Sequence, residues 1–176
     1  SYGRDLQDQN ATLLDAIAKA SEPGGIRRIR LGSLEPLFVT EPVAKALAEN
    51  PKICRQFHLS LQSGSNTVLK RMNRKYTAEE YLLALALMRR YMPDCAITTD
   101  VIAGFPGETD EEHAETLAFC KEARFARMHV FPFSLRKGTK AEALPNHLPK
   151  QIKDARAKEL IHLGKELTHA YLNEQI

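Results

Sequence analysis

One stretch limits the fold more than any other. Residues 96–102 read as a strand, and Gly104-Phe-Pro-Gly107 turns the chain directly behind it. Thr109 followed three residues later by Glu112 is a capping box, so a helix opens after the turn. A strand that runs through a glycine turn into a capped helix is the unit of parallel sheets, whose ligands sit at the C-terminal strand ends. Gly104 and Gly107 let backbone approach a ligand closely, and the helix start offers free N–H groups. Taken alone, the stretch is equally compatible with a turn that binds nothing.

The rest of the chain repeats the unit. A helix is expected over residues 10–20, with Leu13, Leu14 and Ile17 on one face, ended by the turn chemistry of Ser21-Glu-Pro-Gly-Gly25. A strand is expected over 26–31, closing in Gly32-Ser-Leu-Glu-Pro36, then a helix over 41–49 capped by Thr40. Residues 56–62 alternate as a strand, a brief helix covers 66–72, and the capping box of Thr77 and Glu80 opens a helix to Tyr91. A last strand is expected over 127–133. A loop punctuated by Gly and Pro follows, then an amphipathic helix from Lys150 with Ile152, Leu160, Leu163 and Leu167 on its buried side. Alternating strands and helices predict a parallel sheet with right-handed crossovers.

Four strands suit either an open sheet or part of a barrel, and the strand faces separate the two. By parity, one face carries His58, Ser60, Gln62, Thr98, Asp100, Ile102, His129, Phe131 and Phe133, and the other Phe57, Leu59, Leu61, Ile97, Val101, Met128 and Val130. A polar inward face on several strands predicts a partial barrel whose interior holds a ligand. The first strand is ambiguous, because Ile29 and Leu31 share parity with Ser33 and Glu35; a bulge would resolve it.

Length and composition, 176 residues with 43% hydrophobic and 27% charged, describe one globular domain. A net charge of +3 names no partner. No apolar run reaches membrane-spanning length. Cys54, Cys95 and Cys120 lie far apart, with neither a disulfide framework nor a local metal motif, so free thiols in a reducing cytoplasm are expected.

Three motifs in order carry a family resemblance: Arg28-Ile-Arg-Leu-Gly-Ser-Leu-Glu-Pro36; His58-Leu-Ser-Leu-Gln-Ser-Gly-Ser65 through Met72-Asn-Arg-Lys-Tyr-Thr77; and Thr99-Asp-Val-Ile-Ala-Gly-Phe-Pro-Gly-Glu-Thr109. The chain resembles the radical S-adenosylmethionine methylthiotransferases over nearly its whole length. His129-Val-Phe-Pro-Phe-Ser-Leu-Arg-Lys-Gly-Thr139 with Ala141 looks most like the tRNA threonylcarbamoyladenosine (t6A) branch. The fold implied is α/β, a truncated, partial parallel (β/α) barrel of the TIM-like radical SAM core, with about four strands plus a C-terminal helix. Residues 1–150 would be strands three to six of that barrel, and 151–176 a connecting helix toward a C-terminal RNA-binding (TRAM) domain. The activity implied is methylthiolation of the threonylcarbamoyladenosine next to the anticodon by the full-length enzyme, with the fragment alone inactive.

Implied cofactors are S-adenosylmethionine and two 4Fe-4S clusters in the full-length protein, none held by this fragment. The family's cluster-binding cysteine loop has no counterpart here, so no catalytic residue and no metal ligand is assigned. The implied cofactor-binding set is Ser33, Glu35, Gln62, Ser63, Ser65, Arg74, Asp100, Ile102, Gly104, Phe105, Pro106 and Phe133. Ile102 would pack on the adenine, with residues 104–107 lining it. Ser63 and Ser65 have strand-end turn and helix capping as their rival role, Asp100 an internal structural bond, and Glu35 a turn cap before Pro36. Arg74 would pair with a carboxylate, whereas Lys70 and Arg71 read as solvated. The implied partner is the tRNA anticodon stem-loop, with Arg136, Lys137 and Lys140 at the mouth suited to phosphates. Alternatives are methylthiolation of a ribosomal-protein aspartate, a non-radical lyase or aldolase barrel, and an RNA-binding module without catalysis. The edge at 26–31 is expected to drive self-association of the fragment.

Overall fold

The computed structural model describes residues 12–176. Ten of that span's elements are helices or strands: α1 (Leu13–Ser21), β1 (Ser33–Leu34), α2 (Glu41–Glu49), β2 (Gln56–Leu59), α3 (Asn66–Arg71), α4 (Ala78–Tyr91), β3 (Ala96–Ala103), α5 (Asp110–Ala123), β4 (Arg127–Pro132) and α6 (Lys150–Asn173). Single 3-10 turns lie at Pro36–Phe38 and Lys140–Ala143. The four strands form one parallel sheet in the order β1-β2-β3-β4. Residues 10 and 11 of the expected first helix lie outside the described residues.

Local chemistry starts the helices where the sequence marks them. Thr12, Thr77 and Thr109 each accept from the backbone N–H three residues on, while Asp15, Glu80 and Glu112 return a carboxylate to the cap N–H. Thr40 precedes α2 without a side-chain cap bond. Arg124 ends α5 in the left-handed region.

One face of the sheet is fully buried on its inner strands. Phe57, Leu59, Leu61, Ile97, Val101 and Ala103 pack beneath α4 and α5, with Tyr81, Met88, Phe119 and Phe125 filling the space between. The opposite face is only half-buried at His58, Thr98, Asp100 and Ile102, as a partial barrel requires. α6 lies along β4 and adds Ala157, Leu160 and Leu163 to the same core.

Two expectations are corrected. Residues 26–31 do not form a strand; Ile29 alone bridges to Ile53, donating to the Lys52 carbonyl (2.7 Å) and accepting from the Cys54 N–H (2.9 Å). Arg27, Arg28 and Arg30 flank it in solvent, and regular pairing begins only past Gly32 at Ser33↔His58. Ile152 is 40% exposed, because the first turn of α6 reaches over the Gly104 turn and presents Lys153 and Arg156 there.

Candidate cofactor and substrate cleft

A cleft of about 490 Å³ opens at the C-terminal ends of β3 and β4. Gln62, Asp100, Ile102, Phe133, Arg136 and Thr139 are among its walls. That volume is in the range of small-molecule sites, and mostly apolar walls with a few convergent polar groups are their usual make-up.

The position of Gln62 is set by the end of β2. Beyond Leu59 the strand loses its ladder partners, and side chains from neighbouring elements replace them. Thr99 Oγ1 donates to the Leu59 carbonyl (2.6 Å) and accepts from the Leu61 N–H (3.0 Å). Tyr81 Oη donates to the same Leu59 carbonyl (2.6 Å), and Tyr76 Oη bridges the carbonyls of Ser60 (2.8 Å) and Leu61 (2.9 Å). Burial pushes the Tyr76 phenol up to about 12, so it remains a donor at any ordinary pH. Gln62 then adopts φ +70°, with its N–H on the Asp100 carbonyl (2.8 Å) and its own carbonyl accepting from Ile102 (2.9 Å). A non-glycine residue held in the left-handed region costs about 1–3 kcal/mol, and such residues cluster at ligand sites.

Asp100 heads a polar ladder across the inward face. Its Oδ2 lies 3.2 Å from His58 Nε2, and His58 Nδ1 lies 3.1 Å from Thr98 Oγ1. The His129 ring stands 6.2 Å from that of His58, with His129 directly opposite Asp100 in register. Asp100 thus makes an internal bond while one side of it faces the cleft. One pleat nearer the mouth, Ile102 stands opposite Phe131.

The Gly104 turn forms the wall behind. Gly104 and Gly107 have φ +72° and +73°, and a methyl at Gly104 would overlap the Lys153 methylenes. Phe105 is buried edge-on against Phe133, with centroids 5.3 Å apart, and Pro106 is buried beside it. Phe133 is pinned further by its N–H on the Ala103 carbonyl (2.8 Å), by the His147 ring at 6.0 Å and by Lys153, whose Nζ donates to its carbonyl (3.1 Å).

Of the implied set, the structure brings Gln62, Asp100, Ile102 and Phe133 together in the cleft. Gly104, Phe105 and Pro106 form the layer behind it. Ser63 and Ser65 are fully buried; Ser63 Oγ meets Thr116 Oγ1 of α5 (3.1 Å) and accepts from the Ser65 N–H (3.2 Å), while Ser65 Oγ has no partner among the described residues. Ser33, Glu35 and Arg74 are exposed and stand apart from the cleft; Glu35 and Arg74 share the surroundings of the Tyr76 hydroxyl.

Two ion pairs were not foreseen. Arg71 is not solvated: it pairs through both terminal nitrogens with Glu112 (3.0 and 2.5 Å) and so braces the start of α5. Arg156 of α6 is buried and donates to the Glu108 carbonyl (2.9 Å), the Glu108 carboxylate (2.8 Å) and Asp110 (2.6 Å). Glu108 Oε1 in turn accepts from the Gly104 N–H (3.0 Å). The signal for this clamp was in the sequence, since Arg156 falls midway along the apolar stripe of 152, 160 and 163.

Cys95 and Cys120 are buried free thiols, and Cys54 is half-buried. Burial pushes the thiols of Cys95 and Cys120 up to about 11 and about 12, the opposite of what thiolate ligation needs. Among the described residues no group of three or more His, Cys, Asp or Glu could hold a metal ion. No helix of the described residues is long and apolar enough to cross a membrane.

Comparisons with known proteins agree with this fold. The family description "Radical SAM superfamily" matches residues 3–120. The threonylcarbamoyladenosine tRNA methylthiotransferase MtaB of Bacillus subtilis is 42% identical over 98% of this chain and 38% of its own length. A tRNA-2-methylthio-N(6)-dimethylallyladenosine synthase of Thermoanaerobacter is 40% identical over 96% of this chain and 36% of its own. The chain therefore spans somewhat more than a third of the curated relatives it matches. Among solved structures, the coproporphyrinogen III oxidase HemN of Escherichia coli, a radical SAM enzyme, superposes with a TM-score of 0.65 at 20% identity over 80% of this chain and 32% of that one. The cobalamin-dependent S-adenosylmethionine radical enzyme OxsB follows with a TM-score of 0.51 at 15% identity, over 86% of this chain and 20% of that one. Parallel strands with a half-open inward face, a glycine turn behind the cleft and the match over residues 3–120 place this chain in the radical SAM superfamily.

Proposed function

We propose that this chain is the C-terminal part of the catalytic barrel of a tRNA-modifying enzyme, which places a methylthio group on threonylcarbamoyladenosine beside the anticodon. The observation that carries the reading is the cleft at the ends of β3 and β4, in a chain of this family. Residues 151–176 then continue toward a further RNA-binding domain, and the protein works in the cytoplasm, where its RNA is.

The cleft's donor set fits S-adenosylmethionine. Ile102 and Phe133 offer apolar faces to a flat base, and Gln62, Asp100, Ser134 and Thr139 offer amide, carboxylate and hydroxyl groups to its ribose and amino-acid portions. When bound with its clusters, that cofactor supplies radical chemistry. The residues of this chain bind and orient it: the strained Gln62 is fixed at both its N–H and its carbonyl, His58 holds the Asp100 carboxylate, and the Phe105–Phe133 wall excludes water. Two 4Fe-4S clusters are assigned to parts of the full-length protein beyond this chain, and the fragment alone is inactive in this reading. We further propose that the isolated chain pairs with a second copy along Ile29 and β1; a monodisperse monomer in light scattering at high concentration would count against that.

The branch is tested by mass spectrometry of nucleosides from a strain lacking the gene. Loss of the methylthio group from threonylcarbamoyladenosine supports the reading. Loss from the dimethylallyl nucleoside instead would move the protein to the second branch, which the 40% identical relative favours. Intact tRNA with an unmodified ribosomal protein would overturn both.

A further inference from the structure

The inward face holds one aromatic ring that the fold itself does not use. Phe131 is 52% exposed, although it stands in the wall of the cleft. The other large rings near it are committed: Phe105 packs edge-on to Phe133, and Phe133 also meets His147 and Lys153. Phe131 has no aromatic partner among the described residues. Its register neighbour is Ile102, so the two side chains stand side by side and make one apolar strip across the cleft at a single level. Just beyond lie Arg136, Lys137 and Lys140, all exposed, none paired with a carboxylate among the described residues. The nearby Glu142 is occupied with the Gly138 N–H (2.7 Å).

A half-exposed ring beside unpaired cations is the arrangement that reads single-stranded RNA. An unstacked base lies on the aromatic face, and its phosphate meets the guanidinium. We infer that Phe131 is the stacking platform for the RNA base brought to the cleft, with Arg136 holding a phosphate of the same strand. The base then lies over Phe131, beside Ile102, which is assigned above to the cofactor. This rests on the tRNA reading and adds to it the residue that presents the base. A protein loop is the competing occupant, but the phosphate charge complements three unpaired cations where a loop of mixed charge would not.

The test uses the full-length, cluster-reconstituted protein and fluorescence anisotropy of an anticodon stem-loop RNA, intact or abasic at the target position. Aromatic stacking of one base predicts about a tenfold or greater loss of affinity for Phe131→Ala on the intact RNA. The abasic RNA should lose a similar factor with the unaltered protein and no further affinity with Phe131→Ala, while Phe131→Trp keeps full binding. Arg136→Ala should weaken both RNAs alike and lower the salt slope by about one. S-adenosylmethionine affinity, measured by equilibrium dialysis, should not move in Phe131→Ala. The stacking assignment is overturned if Phe131→Ala binds intact RNA like the parent, or if its loss adds in full to that of the abasic site. It is equally overturned if only cofactor affinity falls. A parent protein that ignores the stem-loop removes the tRNA reading and this inference together, whereas a parent that binds and a matching Phe131→Ala removes the inference alone.

Discussion

Replacing Arg156 with Ala should be among the most damaging single changes in this chain. Its side chain is 8% exposed and Glu108's is 2% exposed, whereas Asp110's is 93% exposed. The Asp110 arm therefore contributes at most about 1 kcal/mol. The Glu108 arm is different: removing the guanidinium leaves a buried carboxylate with the Gly104 N–H as its remaining donor. Breaking a buried pair this way costs about 3–5 kcal/mol. Together the expected loss is about 4 kcal/mol, or on the order of 10 °C in melting temperature for a chain of this size. Urea unfolding followed by circular dichroism and tyrosine fluorescence measures it; the chain contains no Trp. A double-mutant cycle sharpens the result. Arg156→Met with Glu108→Gln should recover most of the loss, because the stranded charge is gone, giving a coupling of about 2 kcal/mol or more. A loss below about 1 kcal/mol for Arg156→Ala, or strict additivity in the cycle, would refute the clamp.

Acid should loosen the start of α5 through Glu112. Burial pushes its carboxyl up, but bonds from Arg71 and the Thr109 N–H outweigh that and hold it below the ordinary glutamate range. A group depressed in the folded state stabilises above its unfolded value and loses that contribution as pH falls through the folded one. Stability should therefore drop at pH values below the ordinary glutamate range, and Glu112→Gln should flatten that part of a pH–urea profile; an unchanged profile would count against the pair. The thiols should divide sharply: Cys54, half-buried, reacts first with Ellman's reagent at pH 8, while Cys95 and Cys120 react only on unfolding. Rapid labelling of all three in the native protein would contradict their burial.

Much of the fold was legible locally. Capping boxes at Thr77 and Thr109, the alternation of 56–62 and the Gly104-Phe-Pro-Gly107 turn are contacts between residues three or four apart, or backbone demands of single residues, and such signals survive without knowledge of the partner. Strand parity likewise separated the helix-covered residues from the inward ladder of His58, Asp100 and His129. The strand expected at 26–31 failed because its apolar residues had no neighbour to pair with beyond Ile53, and pairing is decided by the adjacent chain. Arg71 and Arg156 read as a solvated charge and as nothing at all, since their partners lie 41 and 48 residues away.

The sequence by itself determined where the chain turns, which faces of its strands are apolar, and the family to which it belongs, because those depend on short-range patterns and on motif order. Only the tertiary structure decided which motif residues meet. It drew Gln62, Asp100, Ile102 and Phe133 into one cleft, turned Ser63 away toward α5, and laid α6 over the Gly104 turn. The physical reason is that a side chain's role depends on what lies opposite it in space. Burial, strain at Gln62 and the ion pair of Arg156 with Glu108 come into being only when distant segments pack together.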